Sequence, residues 1–253
     1  MEKGDLVRFP AMPDFGVGEI IGINTDGTFK VKFETCTCRS IFPDSLIIDN
    51  ACNKEKPNSK FFEKYNIQYL CHLTHKDNVN NILKDGILSH HDALNLHDDR
   101  IDISDPGAQR WRDQDEPLYN RKIHDYVPLY IQPLNPMLYV RQELQRDLCW
   151  LEVSLAALDD KNTQFIISDG NAASRETKFY TSVSKLDMLP WDVLKARTWF
   201  DLLDGKRKRC AEVLIYPKIS PEHVVAIHCY CEDTVKALSR ADRSVLLTRR
   251  LFF

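Results

Sequence analysis

Four short segments of this 253-residue chain carry polar or ionisable side chains among apolar neighbours, where burial is costly unless the group is hydrogen-bonded or put to use. They are His72-Leu-Thr-His75, His124-Asp-Tyr-Val-Pro-Leu-Tyr-Ile131, Ile166-Ile-Ser-Asp-Gly-Asn-Ala-Ala-Ser174 and Cys210-Ala-Glu-Val-Leu-Ile215. The first is a strand end with two imidazoles, and the second leads polar residues straight into an apolar strand. In the third, the Asp169-Gly170 turn can reposition Asn171. The fourth embeds one carboxylate, Glu212, in an apolar strand. Such a carboxylate either pairs with the preceding basic run, Lys206 to Arg209, or works on a developing positive charge; spacing alone leaves both open.

The elements that must position these groups read as two units. Between residues 3 and 48 short strands alternate with tight turns: Asp5–Phe9, Gly18–Ile23 and Thr28–Phe33, with Asp26-Gly27 as a hairpin turn. Phe29, Val31 and Phe33 share one face, and Lys30 and Lys32 the other. This predicts a small all-β, SH3-like or Tudor-like barrel over residues 1–50. Gly16-Val-Gly18 lies between strands rather than opening a helix, so it is not a dinucleotide loop. Residues 51–62, polar and broken by Pro57, predict a linker, with a second domain over 63–253.

In that domain the pattern predicts a strand over 68–74, then a helix from Lys76 with Val79, Ile82 and Leu83 as its apolar stripe and Gly86 as its C-terminal cap. Further strands are predicted over 127–131, 149–153, 164–167, 211–215, 224–228 and 245–247. Helices are predicted from Pro190 through Leu194 to Trp199 and over Glu232–Leu238. Strands outnumber helices and their connections are irregular, which points to an α+β domain rather than a doubly wound sheet.

Composition narrows the chemistry. Glycine is scarce, nine residues, and Gly4, Gly16, Gly18, Gly22 and Gly27 all precede residue 30, which excludes a Rossmann or P-loop cradle in the second domain. The net charge is −3. The first domain is acidic and the remainder balanced, so contact with phosphodiesters must come from local clusters: Lys206 to Arg209, Arg110 with Arg112, or Arg249 with Arg250. The N-terminus shows no apolar leader, so a reducing cytoplasm is expected for the eight cysteines rather than a disulfide framework. The pairs Cys36/Cys38 and Cys229/Cys231 have one intervening residue, too few for a zinc knuckle, and no metal is expected.

Taken in order, the four segments and their surroundings resemble the DarT family of bacterial toxins, DNA ADP-ribosyltransferases. The resemblance rests on His72-Leu-Thr-His-Lys-Asp-Asn78 with Asn81-Ile-Leu-Lys-Asp-Gly86, Gln109-Arg-Trp-Arg112, His124 to Tyr130 with Asn135-Pro-Met-Leu-Tyr139, Ser168-Asp-Gly-Asn-Ala172, and Lys208 to Ile215. It runs from about residue 68 to the C-terminus. It implies an α+β, PARP-like split-sheet fold, with NAD as ADP-ribose donor and no metal. By position, His72, Leu73 and Thr74 fall at the nicotinamide end, and Asn81 and Ser89 at further NAD contacts.

On this resemblance Glu212 is expected to stabilise the oxocarbenium-like ribose, with holding a ribose hydroxyl or orienting the acceptor base as the alternatives. Arg112 falls on the family's essential arginine, which either accepts a proton from the base or, because a guanidinium stays protonated, positions the pyrophosphate or another anion. The acceptor would be a base in single-stranded DNA, held by Tyr130, Met137 and Asn171, with thymidine the nearest pattern and guanosine the rival. A cognate macrodomain antitoxin (DarG-like) is implied as partner. Transfer to RNA or protein, or a noncatalytic reader built on the small barrel, are the competing readings.

Overall fold

The computed structural model describes residues 1, 3–48, 57–104 and 106–253, and they fall into two compact units dividing between Pro57 and Asn58. In the first unit, β1 (Leu6–Arg8), β2 (Val17–Ile23), β3 (Phe29–Phe33), β4 (Thr37–Ile41) and β5 (Ile47–Ile48) form one antiparallel sheet in the order β4-β3-β2-β1-β5. The expected alternation holds: Phe29, Val31 and Phe33 are buried and the lysines between them exposed. Val7, Ile20, Ile41 and Leu46 complete this core. Gly18 is obligatory here, since a Cβ would stand 2.5 Å from the Phe33 ring.

The second unit opens earlier than expected. Residues 51–56 of the anticipated linker lie outside the described residues, but α1 (Ser59–Glu63) is helical and its Phe62 is fully buried in the main core. The Asn58 backbone N–H and side-chain amide bind Asp159 and the Leu158 carbonyl at 2.8 Å, anchoring the start of α1. Phe62→Ala should therefore destabilise this unit by about 3–5 kcal/mol, the usual cost of emptying a buried aromatic site. A urea melt unchanged by the substitution would return Phe62 to the linker.

The remaining strands are β6 (Tyr69–His75), β7 (Ile87–Leu88), β8 (Val127–Tyr130), β9 (Leu148–Ser154), β10 (Gln164–Ser168), β11 (Phe179–Tyr180), β12 (Glu212–Tyr216), β13 (Lys218–Ile219), β14 (Val224–Cys229) and β15 (Ser244–Leu247). Eight of them make one sheet, ordered β11-β10-β12-β8-β6-β9-β14-β15, and β7 pairs with β13. All ladders are antiparallel except β14 with β15. The helices α2 (Val79–Asp85), α3 (His90–Leu96), α4 (Pro106–Arg112), α5 (Pro136–Val140), α6 (Trp191–Leu194), α7 (Gly205–Lys208) and α8 (Glu232–Ala237) are short. Among the described residues none is long and apolar enough to cross a membrane.

The sheet separates two sets of apolar contacts with the period of two that strands impose. Leu129, Val213 and Ile215 join Leu70, Leu151 and Phe62 in the main core, while Leu214 packs on the other side with Ile123, Tyr126 and Ile166. Glu212 shares Leu214's parity and lies directly opposite Tyr130 in the β12–β8 ladder. As the pattern predicts, Val79 is buried, Ile82 and Leu83 pack beside it, and Gly86 caps α2 at φ 92°.

The helix expected from Pro190 to Trp199 stops at Leu194. The carbonyls at and just beyond its end are taken by Arg209, whose Nη1 donates to Val193 and Ala196 at 2.8 Å and to Leu194 at 3.1 Å. The chain then turns so that Trp199 is buried beneath the same guanidinium, 5.6 Å from its ring centre.

Candidate active site

The sheet is weakest in its middle. Strand β6 pairs with β9 through seven residue pairs, but with β8 through Cys71 and Tyr130 alone. Pro128 in β8 has no N–H to offer a ladder, and its carbonyl instead accepts from His72 Nδ1 at 3.0 Å. The strands part there, and beside the parting lies a cavity of about 640 Å³. It is lined by His72, Leu73 and Thr74 from β6 and by Pro128 and Tyr130 from β8. Asn81 and Ser89, Arg112, Met137 and Asn171 also line it, so one cavity gathers every nominated site residue except Glu212.

Glu212 lies beneath that wall with no exposed surface. Arg112 Nη2, at the end of α4, donates to both carboxylate oxygens at 2.8 and 2.9 Å, and the Ala172 N–H donates to Oε1 at 2.9 Å. Burial works against the Arg112 charge, but Glu212 opposite it raises the guanidinium pKa overall. The Tyr130 phenol is pushed up, first by burial and then by the Glu212 charge. Its ring stands edge-on to Trp150, with centroids 6.0 Å apart. Carboxylate, guanidinium and phenol thus form one buried polar group at the cavity wall.

The basic run does not supply Glu212's partner. Arg209 is spent on carbonyls, Arg207 on Asp169 at 2.7 Å and Asp204 at 2.6 Å, and Lys208 on the Leu203 carbonyl at 3.1 Å. Lys206 is exposed and faces the cavity. Arg207 also fixes the Asp169-Gly170 turn: its carbonyl accepts the Asn171 N–H at 2.9 Å, and a Cβ on Gly170 would sit 2.5 Å from its Nη1. Ser168 ties the same turn to β12, bonding the Gly170 carbonyl at 2.7 Å and both the N–H and the carbonyl of Glu212 at 3.2 Å.

Two nominated residues have local duties. Ser89 is the N-cap of α3, accepting the Asp92 N–H at 3.1 Å and donating to its carboxylate at 2.8 Å. Asn81 donates to Asp99 at 3.4 Å. Asn78, quoted in the motif but not nominated, also lines the cavity. It holds the backbone of Ile101 through two 2.9 Å bonds, tying the loop after α3 to the end of β6. Gln109 and His124, hydrogen-bonded to each other, and His90, stacked on His124 at 4.5 Å, complete the wall. Gln109 and His124 sit in segments the sequence had singled out, whereas nothing in the local pattern distinguished His90.

Burial lowers the His72 pKa, partly offset by its bond to Pro128. Below the unfolded value of about 6.5, the unfolded chain holds a proton that the native chain does not, so stability falls as pH drops from 7 toward the native pKa. His72→Gln should remove up to about 1.4 kcal/mol per pH unit of that slope. Denaturant melts of parent and variant at pH 7 and 5 check this; parallel slopes would mean that His72 charges freely in the fold.

A family model described as "ssDNA thymidine ADP-ribosyltransferase, DarT" matches residues 71–250. The chain belongs to the DarT family. One relative, a "DNA ADP-ribosyl transferase-DNA ADP-ribosyl glycohydrolase fusion protein" of Thermosipho africanus, is 31% identical over 176 residues, covering 68% of this chain and 45% of its own. The chain thus spans less than half the length of that relative.

The Thermosipho africanus DarTG structure in complex with ADP-ribose superposes with a TM-score of 0.65 at 29% identity, over 74% of this chain and 51% of that one. Thermus sp. 2.9 DarT, solved in complex with ADP-ribosylated ssDNA, has a TM-score of 0.67 at 22% identity, over 74% of this chain and 97% of that one; it was also solved with NAD+. The shared DarT fold is the split α+β sheet described above.

Proposed function

We propose that this chain transfers ADP-ribose from NAD to thymidine in single-stranded DNA. The observation that carries the reading is Glu212, a fully buried carboxylate held by Arg112 just beneath the wall of a cavity of about 640 Å³ that is built without a glycine cradle. In the transfer, the nicotinamide–ribose bond breaks with its electron pair leaving on nicotinamide, and a ring nitrogen of the base bonds to the anomeric carbon and gives up its proton to solvent water. Positive charge on the ribose peaks between those events, so a fixed carboxylate stabilises the transition state more than bound NAD.

His72, Leu73 and Thr74 hold the nicotinamide end, with Asn81 and Ser89 as further NAD contacts. Arg112 positions the pyrophosphate or the acceptor, and Tyr130, Met137 and Asn171 hold the base. A base must leave its stack to reach a sugar carbon in such a cavity, which favours a single strand. The fusion of transferase to glycohydrolase in the Thermosipho relative supports a macrodomain hydrolase as the antitoxin partner of a cytoplasmic toxin. The order β4-β3-β2-β1-β5 supports an SH3-like reading of the first unit. Its acidity suits a scaffold or partner contact better than a grip on DNA.

The test is nucleoside mass spectrometry on single-stranded oligonucleotides incubated with the full chain and NAD, with RNA and protein acceptors in parallel. ADP-ribosyl-thymidine is expected. An adduct on guanosine would reassign the base, and none on any DNA base would overturn the proposal.

A further inference from the structure

We infer that His91, Asp113 and His124 bind one divalent ion of the zinc class, beside the cavity and outside the chemical step. One ligand atom from each lies within 4.8 Å of the other two. They come from α3, from the residue following α4 and from the turn Ile123–Asp125 that leads into β8.

Zinc bonds of about 2.0–2.2 Å place tetrahedral ligands roughly 3.3–3.6 Å apart, so an ion must draw these atoms together by roughly an ångström. Asp113 is able to make that move: its side chain is 60% exposed, and its ion pair with Lys122, at 2.8 Å, is of the surface kind that contributes little.

Both imidazoles already have the outer contact that metal-bound histidines have. His91 Nδ1 lies 2.7 Å from Asp125 Oδ1, and His124 Nε2 is hydrogen-bonded to the Gln109 side-chain oxygen. With those nitrogens carrying the protons, His91 Nε2 and His124 Nδ1 are the atoms left for a metal to engage. A third ring, His90, packs against both, at 6.2 Å from His91 and 4.5 Å from His124, so three imidazoles crowd where an apolar group would pack more cheaply. Three ligands leave a fourth position for water. Because Asp113 directly follows Arg112, the ion would tie the end of α4 to the start of β8. It would thereby fix the element that carries the arginine.

The experiment uses the full chain, reduced and stripped with a chelator, titrated with Co²⁺ and then Zn²⁺. The parent should bind one equivalent of Co²⁺ with visible ligand-field bands that Zn²⁺ abolishes, and Zn²⁺ should raise its melting temperature. His91→Ala and Asp113→Asn, both at sites open to solvent, should each weaken binding more than a hundredfold. Asp125→Asn, which touches only the outer contact, should weaken it about 10–100-fold. Metal-free melting temperatures show whether each variant is folded. Absence of stoichiometric binding, affinity unchanged in both ligand variants, or a near-ultraviolet thiolate band placing the ion on cysteines would overturn the inference.

Discussion

Glu212→Gln should slow ADP-ribose transfer to single-stranded DNA by about 10²–10³-fold, the cost of removing one preorganised group aimed at transition-state charge. NAD affinity, measured by calorimetry, should change far less, because the ground-state nicotinamide ring already carries its charge away from the ribose. Glutamine has the same shape, and its oxygen can still accept the Ala172 N–H that Glu212 accepts at 2.9 Å. What it cannot do is balance Arg112.

Removing one partner of a buried pair costs about 3–5 kcal/mol when the other is left unpaired. Arg112 is 14% exposed toward the cavity, so water recovers part of that loss. The variant should therefore melt lower yet remain folded at room temperature, and circular dichroism separates the two effects. Transfer at the parental rate by a folded variant would remove Glu212 from the chemistry and leave it as the counter-ion of an arginine.

That dual position explains how much of the site is legible in the sequence. Glu212 stands out because one carboxylate interrupts an apolar strand, and the same contrast marks His72 and Asn171. Its partner does not stand out. The basic run three residues upstream is the obvious candidate by proximity, but its arginines are turned to carbonyls and to Asp169 and Asp204, and the ion pair forms instead with a residue 100 positions away.

The same long-range chemistry cut short the helix expected to reach Trp199, since periodicity holds no record of Arg209 taking the α6 carbonyls. Phe62 was hidden by its neighbours: Lys-Pro-Asn-Ser-Lys reads as linker until the folded main core supplies the apolar surroundings that bury it. Strands survive such reasoning better because alternation is a property of the strand itself, as in Phe29 to Phe33. Sites assembled from several short elements survive it worst, and the grouping of His91, Asp113 and His124 exists only once α3, α4 and the β8 lead-in are folded together.

Arg112→Lys distinguishes the two roles that chemistry allows this residue. If the side chain accepts the proton of the base, lysine should serve at least as well. Its ordinary pKa of about 10.4, against 12.5 or more for arginine, makes its neutral form on the order of a hundredfold more abundant at neutral pH. If the side chain positions an anion, lysine should be worse, because an ammonium is a point charge and loses the planar fork that grips a phosphate or carboxylate through two parallel bonds.

The second outcome is expected. Glu212 raises the Arg112 pKa above its ordinary value in spite of burial, which makes a neutral guanidinium rarer still. Transfer by the lysine variant should fall about tenfold, and by Arg112→Ala about a hundredfold or more. The alanine variant should also lose roughly 3–5 kcal/mol of stability, since the Glu212 carboxylate, with no exposed surface, keeps only the Ala172 N–H among the described residues. Lysine spares most of that cost by keeping a positive charge beside Glu212, so the two variants separate a defect of folding from one of catalysis. A lysine variant as fast as its parent would make Arg112 the proton acceptor after all.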